Sequence, residues 1–150
     1  DMKRANAALD PTLAVTRLLA SNWREWGLDE SIAPRVKGCE EMMTQAVRIA
    51  AEAGVLMGSG SDLLGPEQNR RGLEIVLKAK ILDPMRAITC ATLNNARIMR
   101  QDHEFGSLEE GKRADVIAVR GDPLAQPELL DDLDNVVLVV KGGKIAKHRT

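Results

Sequence analysis

Asp62 is the residue whose type and position most favour chemistry in this sequence, and it ends the stretch Gly54-Val55-Leu56-Met57-Gly58-Ser59-Gly60-Ser61-Asp62. Residues 55–58 form a short apolar run between glycine and serine, which predicts a buried parallel strand. Asp62 would then lie just past the carboxyl end of this strand, at the edge where parallel α/β folds build active sites. The small residues 58–60 would let backbone or ligand approach the carboxylate. The alternative is a simple turn residue, because aspartate is common in turns.

The sequence offers few catalytic partners for Asp62. Both histidines, His103 and His148, follow it in the chain, and there is no H-x-H pair. We expect His103 to be a surface turn residue and His148 to lie near the end of the chain. Ser59 and Ser61 flank Asp62 without a G-x-S-x-G elbow, and the glycine-rich stretch lacks the Lys-[Ser/Thr] of a phosphate loop. Asp62 alone therefore cannot assemble a four-ligand metal site.

The composition limits the size of the fold and the classes of partner. The chain has 150 residues, 44% of them hydrophobic, which suffices for one domain with a core. A complete (β/α)8 barrel needs about 250 residues, so we expect only a piece of one here. The 21 basic and 22 acidic residues balance, which argues against a nucleic-acid or membrane partner. No apolar run reaches the roughly 18 residues of a membrane span.

The two cysteines indicate a reduced protein. Cys39 and Cys90 are far apart and outside a C-x-x-C spacing, so we expect buried thiols and no disulfide framework. The cellular location stays open, with the cytoplasm favoured. A signal peptide on the intact protein could not be seen, because the chain begins inside a helix-like segment.

Helical signals dominate the chain before Asp62. Residues 1–9 are polar and alanine-rich and predict a loop or frayed turn. Asp10-Pro11 is typical of the N-cap and first residue of a helix, which Gly27 ends. Trp23 and Trp26 either line a substrate pocket or pack this helix against a neighbour. Residues 35–53 predict a long amphipathic helix closed by Gly54 and leading directly into the strand.

Two helices and a β-rich tail are predicted after Asp62. The first helix spans 67 to about 80, with Leu73, Val76 and Leu77 on an apolar side. We expect its charged residues to face water, namely Arg70, Arg71, Glu74 and Lys78. The second helix starts at Asp83-Pro84 and runs to about Arg100, and its A-T-L-N-N-A run is interpreted as structural.

The tail changes to a strand-like pattern. We expect strands at 106–108, 114–119, 136–140 and 144–147, with a two-residue hairpin at 141–144. Asp115 could be a catalytic group, but we favour a structural role in which it bonds the nearby turn.

Three motifs occur in a fixed order along the chain. An A-G-V segment leads to G-S-D at Asp62, a D-P-x-x-A-I-x-x-A-T-x-N-x-A helix spans 83–96, and a G-S-L-x-x-G-K-x-A-D-V segment spans 106–116. A G-D-P-L turn and a V-x-x-V-x-x-G-G-K segment follow. This series resembles the carboxyl-terminal third of the amidohydrolase superfamily over about residues 40–147. It is most similar to the peptidase-like and ochratoxinase-like branch, in which Leu-Leu-Gly can follow the aspartate.

The resemblance implies an α/β fold that is only part of a larger one. Residues 1–104 would supply the last βα units of a TIM-type (β/α)8 barrel, with its seventh helix and eighth strand. In the family a P-T-L segment often follows the seventh strand, which this chain would lack. Residues 105–150 would supply the carboxyl-terminal strands of a small β-sandwich.

The resemblance also implies a mechanism. Asp62 matches the last-strand aspartate, which acts as metal ligand and as general acid and base toward a water that attacks a carbonyl carbon. The metal would be Zn²⁺ or a similar divalent metal, as one or two ions, held mainly by histidines that this sequence does not contain.

Two classes of function therefore remain open. The first is a fragment of a metal-dependent amidohydrolase acting on small amide or dipeptide-like substrates, inactive until completed by a missing N-terminal part or a homo-oligomer partner. Leu63-Leu64-Gly65 favours N-acyl amino acids or dipeptide-like amides over cyclic ureides. The alternative is a non-catalytic structural or interaction module that keeps the fold remnant.

Overall fold

The computed structural model describes residues 1–149, which form an α/β fold with a short parallel sheet, a group of helices and an antiparallel tail. The elements in chain order are β1 (Ala8–Leu9), α1 (Leu13–Asn22), α2 (Ala33–Glu52), β2 (Leu56–Met57), α3 (Leu73–Ala79), α4 (Pro84–Thr89), a π-helical turn (Cys90–Asn94), α5 (Asn95–Ile98), β3 (Val116–Val119), β4 (Val136–Lys141) and β5 (Lys144–His148). Short 3-10 turns lie at Glu30–Ile32, Gly65–Glu67 and Pro127–Leu130.

The parallel sheet pairs the beginning of the chain with the strand before Asp62. Ala8 lies opposite Leu56 and Leu9 opposite Met57, and the Gly58 N–H continues the ladder by donating to the Leu9 carbonyl at 2.9 Å. The strand at 55–58 is thereby confirmed as a shorter element. The predicted loop or frayed turn is confirmed for residues 1–7, but it was wrong for Ala8–Leu9, as was the expected lack of a strand before Pro11-Thr12-Leu13. A two-residue strand carries too little pattern to be read before its partner is known.

Helix α1 starts later than its sequence signal. The predicted cap at Asp10 was wrong, because Thr12 is the N-cap and Leu13 the first helical residue. The Asp10 carboxylate instead accepts a hydrogen bond from the Gly60 N–H. Helix α2 and its closure are confirmed, with Gly54 in the left-handed region at φ +66°.

The hydrophobic core lies between α1, α2, α3 and β2. Its buried residues are Leu13, Ala14, Leu18, Val47, Ala50, Met57, Leu63, Leu73, Leu77 and Cys90. The apolar stripe predicted on α2 is only partly used, because Met42 and Ile49 are 67% and 56% exposed. The core therefore covers one side of the sheet and fixes the strand that precedes Asp62.

Helix α3 is buried on more sides than its sequence pattern suggests. It packs against α1, α4 and the 3-10 turn at Pro127–Leu130. The prediction that Glu74 and Lys78 face water was wrong, since their side chains are 1% and 0% exposed. The helix is also shorter than expected and begins at Leu73. A single apolar stripe cannot predict burial when neighbours contact a helix on several faces.

The second predicted helix is confirmed with an interruption. The Asp83 carboxylate caps it by accepting from the Arg86 N–H at 2.8 Å, and Pro84 is the first helical residue. The π-helical turn at Cys90–Asn94 separates α4 from α5. Such turns are frequent at functional sites. Its last residue, Asn94, and the next residue, Asn95, are the two asparagines that contact the end of β2.

The tail is an antiparallel sheet of order β3-β4-β5. The hairpin at 141–144 is confirmed, with Gly142 and Gly143 at φ +56° and +77°. The structural role of Asp115 is confirmed too, because its carboxylate accepts from the Gly142 N–H at 2.6 Å. The strand predicted at 106–108 was wrong, since Gly106 and Ser107 form a bend and Leu108 is in no regular element. Within residues 106–149 no side chain is fully buried.

The cysteines are both free, as expected, but only one is buried. Cys90 lies in the core, where burial raises the pKa of its thiol. Cys39 is exposed on α2, so its predicted burial was wrong. Among the described residues, no helix combines the length and apolar character needed to cross a bilayer.

Candidate active site

Asp62 lies just past the carboxyl end of β2, as predicted. Its side chain is exposed and its backbone adopts the left-handed region at φ +49°. Aspartate and asparagine tolerate this conformation better than most residues with a Cβ. The carboxylate is therefore presented on a sharply turned segment rather than on a regular element.

The segment before Asp62 is held by side chains at three consecutive residues. The Gly58 carbonyl accepts from the Lys78 ammonium at 2.6 Å, and the Gly60 N–H donates to the Asp10 carboxylate at 2.7 Å. Between them, the Asn95 amide bonds both backbone groups of Ser59, each at 2.9 Å. This anchored loop, residues 58–60, therefore leaves β2 in a defined direction toward Asp62.

The glycines of the anchored loop are required by these side chains. A Cβ on Gly58 would lie 2.6 Å from Asn95 Oδ1, and a Cβ on Gly60 would lie 2.7 Å from Asp10 Oδ2. Both distances are shorter than ordinary van der Waals contact. The small residues predicted to allow close approach do so for anchoring side chains.

Two asparagines connect the interrupted helix to the end of β2. Asn94 donates to the Met57 carbonyl at 3.0 Å, and Asn95 makes the two bonds to Ser59. The structural interpretation of the A-T-L-N-N-A run is therefore confirmed. The Asn95 side-chain amide accepts from the Ser59 N–H and donates to the Ser59 carbonyl, as the backbone of a neighbouring strand would.

Asp10 is a site residue that the local sequence pattern did not indicate. It follows β1 directly, as the loop to Asp62 follows β2, so both carboxylates lie on loops from one edge of the parallel sheet. The Asp10-Pro11 signal pointed to a helix cap. The distinguishing fact, the pairing of β1 with β2, is not visible in the local pattern.

Beneath the anchored loop lies a buried ion pair. The Lys78 ammonium is 3.4 Å from Glu74 Oε1, while Glu74 Oε2 accepts from the Ala14 N–H at 2.7 Å. Burial raises the pKa of the Glu74 carboxyl, and the positive charge of Lys78 opposes that rise. The pair connects the start of α1 with the end of β2.

The other candidate residues are not assembled around Asp62. Among residues 1–149 no three His, Cys, Asp or Glu side chains are grouped so that they could hold a metal ion. His103 is a surface turn residue, as predicted, with a 73% exposed side chain, and His148 ends β5. Trp26 lies beside the loop after Asp62. A Cβ placed on Gly65 in that loop would be 3.9 Å from the Trp26 ring.

Comparison with known proteins decides the family. The model of the amidohydrolase family matches residues 16–146. The chain belongs to the amidohydrolase family. Within this family it is an ochratoxinase-like and peptidase-like member, in agreement with the three motifs of the sequence.

Three similar proteins show which amidohydrolases this chain resembles. Ochratoxinase from Aspergillus niger is 30% identical over 130 residues, which cover 86% of this chain and 27% of that protein. A prolidase complexed with N-methylphosphonate-L-proline is 29% identical, with a TM-score of 0.91 over 99% of this chain and 36% of that one. A Xaa-Pro dipeptidase with bound methionine is 28% identical, with a TM-score of 0.84 over 97% of this chain and 36% of that one. The chain thus spans between a quarter and two fifths of their lengths.

The Asn95 anchor can be tested by substitution. In the full-length protein we expect Asn95→Ala to lower the free energy of unfolding by about 2 kcal/mol, because two hydrogen bonds to Ser59 are lost. Hydrogen exchange should accelerate at the Ser59 amide in particular. Asn69→Ala at an exposed site is the matched control and should leave both quantities unchanged. Equal exchange at Ser59 in both variants would contradict the anchoring role.

Proposed function

We propose that this chain supplies the last βα units of a (β/α)8 barrel within residues 1–104 and the end of a β-sandwich within 105–150. Among the described residues, β1 and β2 pair only with each other, so each strand keeps one unpaired edge. Unpaired edges of parallel sheets are normally covered by further strands. The partial barrel is also supported by the relatives' lengths, because the chain covers 27% of the ochratoxinase and 36% of the prolidase.

We further propose that the complete protein hydrolyses small amide or dipeptide-like substrates with Asp62 as a catalytic carboxylate. The observation that carries this proposal is an exposed carboxylate past the end of β2, at the end of a loop anchored at three consecutive residues. Anchoring of residues 58–60 limits the positions open to the carboxylate of Asp62, two residues further on, and general acid and base catalysis requires a positioned group. The prolidase and the Xaa-Pro dipeptidase favour dipeptide-like substrates.

The chemistry of Asp62 suits one position in a metal site but not a whole site. A carboxylate is an ordinary ligand for Zn²⁺ or a similar divalent ion, yet the described residues supply no group of three donors. One or two ions would therefore be held by Asp62 together with histidines from elsewhere in the protein or from a homo-oligomer partner. When bound, such an ion lowers the pKa of its water toward neutrality.

The part of this chain in the reaction is then proton transfer. The Asp62 carboxylate accepts the proton of the water that attacks the substrate carbonyl, and returns it to the leaving nitrogen. Lys78, Asn95 and Asp10 keep the anchored loop in place during both transfers. No other catalytic group is needed from the described residues.

Metal analysis of the full-length protein tests the proposed function. We expect bound Zn²⁺ or a similar ion, loss of dipeptide hydrolysis on chelation and recovery on adding the metal back. We expect the 150-residue chain alone to be inactive toward the same substrates. A full-length protein without metal and without hydrolysis would instead support the structural module.

A further inference from the structure

The Glu74–Lys78 pair is costly for stability, and this cost requires an explanation. Both side chains are essentially inaccessible to water, and their closest charged atoms are 3.4 Å apart. Removing two charges from water costs several kcal/mol per ion before attraction is counted, and apolar replacements of similar volume are often equally or more stable. Stability therefore does not explain why α3 carries charges at these two positions.

The hydrogen bonding of the pair is incomplete as well. Glu74 Oε1 is buried and has no hydrogen bond, although it lies near the Lys78 ammonium. The ammonium has three N–H donors, of which one reaches the Gly58 carbonyl. A partly satisfied buried group stabilises a fold less than a fully bonded one.

What the pair does provide is a rigid connection across one edge of the sheet. The connection runs from the Ala14 N–H to Glu74 at 2.7 Å, through the ion pair, and from Lys78 to the Gly58 carbonyl at 2.6 Å. Ala14 lies in the first turn of α1, which follows β1, and Gly58 directly follows β2. The start of α1 and the end of β2 are thus tied to the same helix, α3.

We infer that the Glu74–Lys78 pair positions Asp62 by holding the start of α1 and the end of β2 at a fixed separation. The inference rests on the proposed function, because Asp62 is the reacting group that the pair would position. The anchored loop starts at the carbonyl that Lys78 holds, so a shift of Gly58 is transmitted to Asp62. Misplacement of a reacting group by about 1 Å can cost about 100-fold in rate.

Two variants of the full-length protein, one double and one single, separate position from stability. In Glu74→Leu with Lys78→Met the apolar volume is kept and both links are lost. We expect its thermal midpoint to be retained or raised, kcat for dipeptide hydrolysis to fall about tenfold or more, and KM to change less than about threefold. Hydrogen exchange at the Ser59 and Gly60 amides should accelerate.

The second variant, Glu74→Gln with Lys78 retained, removes the negative charge but keeps an oxygen that can accept from Ala14 and leaves the Lys78 link to Gly58 in place. We expect it to restore kcat to within about threefold of the parent. If the apolar variant does not fold, the glutamine variant is sufficient to test the inference. A loss of kcat greater than about threefold in this variant, whose links are intact, would overturn the inference. A folded apolar variant with the parent's kcat and slow exchange at Ser59 would also overturn it.

Asp62→Asn in the same assay separates the proposed catalytic role of Asp62 from the positioning role of the Glu74–Lys78 pair. Full turnover in Asp62→Asn would refute the proposed role of Asp62. Loss of turnover in Asp62→Asn, together with full turnover in the folded apolar variant, would refute only the positioning role of the pair. The exchange measurement reports on the anchored loop whether or not hydrolysis is observed.

Discussion

Replacing Asp62 by asparagine in the full-length protein should lower kcat/KM for a dipeptide substrate by about 100-fold or more while leaving the fold intact. General acid and base catalysis by a positioned group contributes about 10²–10⁴-fold, and an amide cannot accept the water's proton. Asparagine is the right substitution because the backbone of Asp62 is in the left-handed region, which asparagine adopts readily. Alanine would add backbone strain to the chemical change.

Asp102→Asn is the matched control for this experiment. Asp102 lies in the surface turn that also contains His103, and no catalytic role is assigned to it. We expect its substitution to leave kcat/KM within about twofold of the parent, as usual for surface changes. Thermal unfolding of both variants checks the fold. Equal turnover in Asp62→Asn and Asp102→Asn would remove Asp62 from the mechanism.

Gly72→Ala should be the most destabilising single substitution that we propose. Gly72 precedes α3 with ordinary helical angles, so alanine adds no backbone strain there. An added Cβ, however, would lie 1.9 Å from the Leu130 carbonyl oxygen and 2.5 Å from its carbon. Both are backbone atoms and cannot rotate away. We expect a loss of about 3 kcal/mol in the free energy of unfolding, measured by chemical denaturation of the full-length protein.

The same substitution at a second glycine, Gly38→Ala, should have the opposite effect on the free energy of unfolding. Gly38 lies inside α2, and apart from its chain neighbours and the adjacent helix backbone no heavy atom lies within 4 Å of the position that its Cβ would take. Alanine is favoured over glycine within a helix by about 0.5–1 kcal/mol, so this variant should be slightly more stable. If both variants were destabilised equally, the close packing of Gly72 against the Pro127–Leu130 turn would not be the cause.

Helix ends and turns could be predicted from the sequence where a few neighbouring residues determine them. Gly54 closes α2, Asp83 and Pro84 start α4, and the two glycines at 142–143 form the hairpin, each as predicted. The family motifs placed Asp62 correctly after a strand. For Gly54, Asp83-Pro84 and the hairpin glycines, the determining contacts are made between residues close in sequence.

Features that depend on distant contacts could not be predicted in the same way. The strand at Ala8–Leu9 exists because it pairs with β2, and Asp10 gives up its capping role to bind Gly60. Glu74 and Lys78 have the charge and spacing of an exposed i, i+4 pair, yet both are buried and bond the start of α1 and the end of β2. Their burial is decided by the packing of α3, not by its sequence.

The three side chains that fix the anchored loop come from Asp10, Lys78 and Asn95, all inside this one stretch of the polypeptide. The geometry of the carboxylate is therefore inherited as a unit with this stretch. In the proposed enzyme, loops encoded elsewhere can diverge during evolution and change the preferred substrate without resetting the proton-transfer group. A recombined gene that keeps residues 8–98 intact would carry that geometry with it.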